Sequence, residues 1–471
     1  MMYKKNSIFR NTFFNAAIVL LCCISSYVAF GGDNRVYNTL GILPLAYVVI
    51  YLFSVQLFKE RVFGNIGYVL FWGQSIVKCV IAPLILCLGN YVSLFPNLTG
   101  EYIFGAVLLM IYEQVVCTLI IGLAFPSKKR WKIVISKVWE MPKMAFGAFV
   151  MLFAVVICAI WFLVPSVKNN FVTIFDMLSS QEMFTGYDYT SINAPGGITR
   201  ILTTLFLVLF KSFRVIFPFY IIKALKQKYD SGISFLLSII VIMLQFLFIS
   251  ETVAMALVVA LILLSYMFRI YPKYKKAIIG LMAVSSVFVV FVLSLNFENM
   301  SAWYGVRNVT EYASQVLQAY VPGVCNTASI FRLERVSRIS ALWDTLVSCI
   351  PFQSTLFGSA GQSNDLNTLF TSVRGLNAQI CSTIGGGWYI FGAFGAPLFS
   401  GLFTYVSMIN GYRYAQTDDE VEKLLYLYTC VQSILGIGVY NIQITVALWI
   451  QVVIVLYIGT KLAMSRKRGH E

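Results

Sequence analysis

The chain has 471 residues, of which 59% are hydrophobic and 12% charged, with a formal net charge of +15 and a mean hydropathy of +0.79. An average soluble domain is about 25% charged, and a soluble core of this size would leave far too much apolar surface uncovered. The composition excludes a soluble globular protein and implies an all-α polytopic membrane protein.

Apolar runs of about 20 residues, enough to cross the hydrocarbon layer as helices, recur from end to end. Twelve spans are predicted, at 12–30, 39–58, 66–88, 102–125, 144–164, 198–222, 233–250, 252–271, 277–296, 386–410, 424–442 and 445–463. The first follows Lys4, Lys5 and Arg10 and lacks a clear small-residue cleavage site, so it reads as a retained helix and not as a signal peptide.

Cationic loops stay cytoplasmic. With both termini inside, most of the 35 Lys and Arg residues fall on cytoplasmic segments, including "PSKKRWKIVISK" and the basic tail 465–471, "SRKRGHE". The net charge is therefore mainly topology, with attraction to anionic membrane lipid added. It gives no argument for a nucleic-acid partner. The expected organisation is one integral membrane domain over 1–471. It carries an external loop at 165–197 and a large, partly helical external loop at 297–385, before the tenth helix.

Most of the ten cysteines lie inside spans, where they act as small apolar residues. Cys325, Cys349 and Cys381 fall in the large loop, where one disulfide can form and three thiols cannot all pair. No CxxC or Cys/His spacing suggests a metal, and no cofactor is expected.

Charges inside spans are costly and raise functional hypotheses. Glu113 in the fourth span is the one deep acidic residue. In the sixth span, "ITRILTTLFLVLFKSFRVIFPFYIIKAL", Arg200, Lys211 and Arg214 are 11 and 3 residues apart. At 100° per residue they lie within about 60° of one another on one helix face. That makes a basic stripe descending from the external mouth, with Pro218 expected to kink the helix below it. Two readings stand: the stripe meets a carboxylate or pyrophosphate, or Glu113 forms an ion pair with Lys211 or Lys78. Glu251, in the tight turn of "FLFISETVAMAL", is either a solvated turn residue or a carboxylate aimed at a hydroxyl.

The large loop should carry two helices. "TEYASQVLQAYVPGV" reads as a short helix ended by Pro322 and Gly323. "SIFRLERVSRISALWDTLVSCIP" reads as a second, with an apolar stripe of Val336, Ile339, Trp343 and Leu346. Arg332 and Arg335 fall on that stripe, so either the helix starts later, or they snorkel to headgroups, or they point into a cavity. The single histidine, His470, lies in the tail, so acid–base work falls to Asp, Glu or Tyr. Sequons at Asn97, Asn299 and Asn308, all external in this topology, are weak evidence for a eukaryotic secretory protein.

The stretch "FTSVRGLNAQICSTIGGGWYIFGAFGAPLFSGL" places a lone Arg374 and three glycines, Gly385, Gly386 and Gly387, at the lip of an apolar helix. The glycines either let the backbone approach a bulky ligand or serve as a hinge with close helix packing. Tyr389, Trp303, Tyr304 and Tyr312 could stack on sugars or simply anchor at the interface.

About a dozen spans, a large arginine-bearing loop before the tenth, the Phe-Thr and Ile-x-x-Thr-Ile-Gly elements and "FGAFGAP" together resemble the bacterial oligosaccharide repeat-unit polymerases, the O-antigen or capsule polymerase (Wzy-type) family. "RVSRISALWDTLVSCIPFQSTLFGSAG" is similar to that family's arginine-bearing helix and Phe-Gly turn. The resemblance is sharp over about Arg335 to Leu402 and loose elsewhere. It departs at "ISETVA", where Glu251 stands in place of the arginine of that family's Ser-Arg pair. It implies a GT-C-like glycosyltransferase of polysaccharide biosynthesis in the bacterial cytoplasmic membrane, with its active site facing outside. The enzyme would move a growing glycan from undecaprenyl pyrophosphate to an incoming lipid-linked repeat unit. Undecaprenyl-pyrophosphate-linked oligosaccharide and membrane lipid are the implied partners, with a chain-length regulator and a flippase beside them. Arg200, Lys211, Arg214, Arg335, Arg338 and Arg374 would face the diphosphate, and Gly385, Gly386 and Tyr389 the glycan. Glu251 and Asp344 are the candidate bases. A lipid-linked oligosaccharide flippase is the first alternative, disfavoured because no two similar halves are visible. An O-antigen-type ligase is the second, disfavoured because no loop histidine is present.

Overall fold

The computed structural model describes residues 12–32, 35–58, 65–89, 98–124, 143–170, 197–247, 253–295, 307–321, 323–333, 336–357, 364–373, 380–417 and 419–458. Among these every regular element is helical. In chain order they are α1 (Thr12–Phe30), a 3-10 turn (Arg35–Gly41), α2 (Ile42–Phe58), α3 (Ile66–Ile76), a π-helical turn (Val77–Ile81), α4 (Ala82–Gly89), α5 (Gly100–Ala124) and α6 (Lys143–Leu163). Next come α7 (Ile198–Lys228), α8 (Ser231–Met243), α9 (Val253–Ile270) and α10 (Lys275–Leu295). The segment expected as the large loop contributes α11 (Val309–Tyr320), α12 (Val324–Ser329), α13 (Arg338–Ser348), α14 (Gln353–Leu356) and α15 (Leu366–Ser372). The chain closes with α16 (Thr383–Gly395), α17 (Leu398–Gln416), α18 (Glu420–Gly438), α19 (Ile442–Leu448) and a second π-helical turn (Trp449–Val453).

Among the described residues five helical segments are long and apolar enough to cross a membrane, or up to seven when two bent pairs count as spans. The chain is thus a helical, multi-pass membrane protein by the length and apolarity of its helices. Many large apolar side chains face outward, among them Phe13, Leu123, Phe162 and Phe394, as expected where the surrounding solvent is lipid.

The expected tenth span, 386–410, is not one straight helix. α16 and α17 meet at a bend of 103°. Gly392 there takes φ 76°, ψ −172°, a conformation essentially reserved for glycine, and Pro397 caps α17. The seventh span ends in a 3-10 turn, Leu244–Phe246. α7, by contrast, runs unbroken from Ile198 through Pro218 to Lys228.

The chain forms two compact units. One comprises Met1–Lys137, Ser301–Asp418 and Tyr426–Leu448. Its core includes Trp72, wedged edge-on among Tyr47, Tyr51 and Phe71. The other comprises Val138–Met300, Asp419–Leu425 and Trp449–Glu471. There Ile157 and Ile160 of α6, with Val164 just beyond its end, pack with Val167 and with Phe206 and Leu207 of α7.

The large-loop segment folds as helices. α11 starts at a cap: Asn308 Oδ1 accepts from Glu311 N at 2.9 Å, and Glu311 Oε2 accepts from Arg307 N at 2.6 Å. This reciprocal pattern satisfies donors that a helix start leaves open. The Asn308 side chain thus has a structural task. Asn97 and Asn299, the other sequons, lie outside the described residues.

The second loop helix starts later than the long reading of "SIFRLERVSRISALWDTLVSCIP". Ile330–Arg332 form one 3-10 turn, Leu333 is extended, and α13 begins only at Arg338. Its apolar stripe faces outward: Ile339 is 81% exposed and Trp343 55%. The face turned inward carries Ala341, Asp344, Thr345 and Val347. Cys325, Cys349 and Cys381 are buried free thiols. Burial pushes the Cys349 thiol up to about 12, and the nearby Asp365 charge adds to the rise.

Candidate functional site

In the first unit the deep charges pair. Lys78 sits on the π-helical turn, an irregularity that often marks a specialised position. Its Nζ donates to Glu113 Oε2 at 2.7 Å and to the backbone oxygen of Ile437 at 2.9 Å. Ser400 Oγ donates to the other carboxylate oxygen, Glu113 Oε1. Of the two partners open to Glu113, the fold selects Lys78.

A second polar cluster of this unit joins α13, α15 and α19. Asp365 caps α15: its Oδ1 accepts from Asn367 N and Thr368 N, both at 3.1 Å. The same oxygen accepts from Gln443 Nε2 at 2.6 Å, and that amide also donates to Ser348 Oγ at 2.8 Å. Leu366 N donates to Thr345 Oγ1 at 3.1 Å, and Asn441 Nδ2 to Asn367 Oδ1 at 3.4 Å. Asp344 lies on the buried face of α13, 7% exposed. Asp365 and Gln443 are polar residues that sequence reasoning passed over. An Asp before "LNTLF" is a helix-start signal, whereas Gln443 lies 78 residues from its partner and carries no local signal.

Several predicted ligand contacts are taken up by the protein itself. Gly385 and Gly386 are buried at the start of α16. A Cβ on Gly385 would come 2.7 Å from Ser382 Oγ and 2.8 Å from Ile330 Cγ1; one on Gly386 would come 2.9 Å from Leu366 Cδ1 and 3.1 Å from Ile442 Cδ1. The room left by these glycines is filled by neighbouring segments, which favours close packing over an approaching ligand. Tyr389 is buried, and its hydroxyl accepts from Val336 N at 3.1 Å, so its ring is no open stacking platform. Arg338 is exposed and lies over the α16 break, its Nη1 3.5 Å from where a Gly392 Cβ would stand. Arg335 and Arg374 lie outside the described residues, as do Glu251, Trp303 and Tyr304.

In the second unit the basic stripe of α7 divides by depth. Arg200 is exposed at the start of the helix. Lys211 Nζ donates to Gln451 Oε1 at 2.9 Å, and Ser212 Oγ to the Gln451 backbone oxygen at 2.9 Å. Gln451 stands on the second π-helical turn. Arg214 is 4% exposed. Its Nε donates to Gln245 Oε1 at 3.3 Å, and Gln245 Nε2 donates back to the Arg214 backbone oxygen at 3.1 Å. Its Nη2 is buried with no hydrogen-bond partner.

A guanidinium cannot shed its proton at any ordinary pH. Arg214 is therefore a buried positive charge held by a neutral amide, with donor capacity left over. That arrangement suits an anion whose oxygens accept from guanidinium N–H groups, a carboxylate or a phosphate. Among the described residues no group of three His, Cys, Asp or Glu is placed to hold a metal ion. No protein-family model matches the chain, and searches of curated proteins and of solved structures found no match.

Proposed function

We infer that the chain is a polysaccharide polymerase of the Wzy type that it resembles. It would transfer a growing glycan from undecaprenyl pyrophosphate to an incoming lipid-linked repeat unit. Twelve membrane passages, both termini cytoplasmic, and a site facing outward across a bacterial cytoplasmic membrane are parts of this proposal. So is the chemistry: a diphosphate leaves, and negative charge develops on its oxygens.

The observation that supports the reading is Arg214. Fixed cations in a low-dielectric site stabilise such charge by several kcal/mol. A buried guanidinium with an unused Nη2, one helical turn from Lys211, has the chemistry the leaving group needs. Glu251 and Asp344 are proposed as candidates for taking the acceptor proton.

Deleting the gene in its host tests the proposal. Surface glycan shortened to a single repeat unit is the expected result. Complementation with Arg214→Gln should restore chain growth poorly, with a rate about 10²-fold below wild type, the scale set by losing one preorganised donor. Full-length polymer left on its lipid carrier would instead identify a ligase. Loss of all surface glycan, with repeat units trapped inside, would identify a flippase.

A further inference from the structure

We propose that the corner between α9 and α10, with the ends of α7 and α8 that pack on it, binds an anionic phospholipid of the bilayer. Lys226 and Lys273 hold its phosphate, and an acyl chain lies along α8. The site falls wholly within the second unit and requires only a membrane-spanning chain, not the polymerase reading.

The fold gathers cations at this corner. α7 ends with Lys223, Lys226 and Lys228, and the corner itself carries Arg269, Lys273, Lys275 and Lys276. α9 and α10 meet there at a bend of 114°, across a 3-10 turn, Pro272–Tyr274. α7 has 31 residues, or about 46 Å at the helical rise per residue, against a hydrocarbon layer of about 30 Å. The helix is long enough to carry its basic end beyond the acyl chains, to the depth of the headgroups.

Lys226 and Lys273 sit at the two ends of a row of aromatic rings. Lys226 Nζ lies 5.0 Å from the centroid of Tyr271. Tyr271 meets Phe235 of α8 edge-on at 5.5 Å, and Phe235 stacks on Tyr274 at 4.4 Å. Lys273 Nζ lies 5.8 Å from the Tyr274 centroid. Tyr271 is buried, and its hydroxyl is 3.0 Å from Ser238 Oγ. The row joins α7, α8 and the corner into one support with an ammonium group at each end. A ring face attracts a cation but carries no charge to neutralise it, and each ammonium has three donors. Among the described residues the ion pair at this corner is Lys223 Nζ with Glu420 Oε2 at 3.0 Å. Tyr266 Oη donates to the same oxygen at 3.3 Å. Lys226 and Lys273 have no carboxylate partner there.

The surface beside the cations selects the ligand. Ile233, Leu236 and Ile240 are exposed, and their spacing of three and four residues puts them on one face of α8. That stripe starts next to Gly232, where a Cβ would stand 3.3 Å from the Tyr274 hydroxyl. Ile279, one turn after Lys275 on α10, is exposed as well. A free anion would use the charge and leave the apolar stripe bare. An amphiphile uses both: phosphate oxygens accept from the lysines, and hydrocarbon covers α8. Tyrosine rings are favoured at this depth of a membrane, and lysines near an anionic lipid surface gain about 1 kcal/mol each.

The full-length protein in non-ionic detergent micelles tests the proposal. It is titrated with phosphatidylglycerol, and with zwitterionic phosphatidylcholine for comparison, and bound lipid is counted by native mass spectrometry. Wild type should prefer phosphatidylglycerol. Lys273→Gln changes an exposed side chain and should weaken that lipid about fivefold. Lys226→Gln/Lys273→Gln should weaken it about 30-fold, the scale of two lysines at an anionic surface converted to affinity. Lys168 is exposed and lies over Trp161 at 5.9 Å elsewhere in the same unit. Lys168→Gln removes the same charge and the same kind of ring contact, and should change the affinity less than about twofold. Equal losses in Lys168→Gln and Lys273→Gln would reduce the effect to net charge and overturn the proposal. So would equal binding of the two lipids, or phosphatidylglycerol binding that survives the double substitution. Displacement of the lipid by an equal concentration of inorganic phosphate would mark a site for a free anion and overturn it too.

Discussion

Lys78 Nζ lies 2.7 Å from Glu113 Oε2, and both side chains are essentially without solvent exposure. The pair ties the π-helical turn after α3 to α5, and through Ile437 O and Ser400 Oγ it reaches α18 and α17. Removing one charge strands the other in a low-dielectric interior. Lys78→Met or Glu113→Leu alone should destabilise the protein by about 3–5 kcal/mol, whereas the double substitution Lys78→Met/Glu113→Leu should cost much less or nothing. Denaturation in detergent micelles measures the cycle. Additive single effects would show that the two charges do not depend on each other.

The break between α16 and α17 rests on one glycine. At φ 76° and ψ −172°, Gly392 occupies backbone space that a side chain makes costly by about 1–3 kcal/mol. A Cβ there would also meet Arg338 Nη1 at 3.5 Å, an ordinary contact. Gly392→Ala should therefore lower stability through the backbone and not through a clash. Arg338→Ala in the same background should not restore it; a full rescue would place the strain in the side-chain contact instead.

Cys349 is buried, and its thiol is pushed up to about 12. A raised thiol value means that the protonated, unreactive form dominates below that value, since only the thiolate attacks. A water-soluble maleimide at pH 8 should leave Cys349 unmodified in the folded protein and label it after denaturation. Rapid labelling of the folded chain would show that this face of α13 opens.

Trp343 and Ile339 on α13 are exposed although the helix is amphipathic. An outward apolar stripe on a multi-pass membrane protein is expected to meet lipid or the headgroup boundary, where tryptophan is favoured. Brominated lipids should quench Trp343 fluorescence, measured as the difference between wild type and Trp343→Phe. Equal quenching in the two proteins would place the stripe in water or against protein.

Much of the helical framework was legible because apolar run length is a local property. Predicted segments such as 12–30, 102–125 and 144–164 coincide within two residues with α1, α5 and α6. The end of α11 at Tyr320 was legible for the same reason, since a proline and a glycine two and three residues further on are local sequence signals. The bend at Gly392 was not, because "FGAFGAP" reads equally well as a small-residue packing face.

Which way a face turns, and which groups meet, only the tertiary structure decided. Periodicity groups Ile339, Trp343 and Leu346 on one side of α13, but a membrane protein has apolar surroundings on both its inside and its outside, so the stripe alone cannot say which is buried. The choice of Lys78 for Glu113, the hold of Gln443 on Asp365, and the seat of Arg214 against Gln245 join residues 31 to 78 positions apart. The sequence by itself determined where helices form and where charge enters the apolar segments. Packing determined which of those charges and amides are matched and which, like Arg214, are left with bonding capacity, because hydrogen bonds and ion pairs act over a few ångströms and that proximity exists only once the chain is folded.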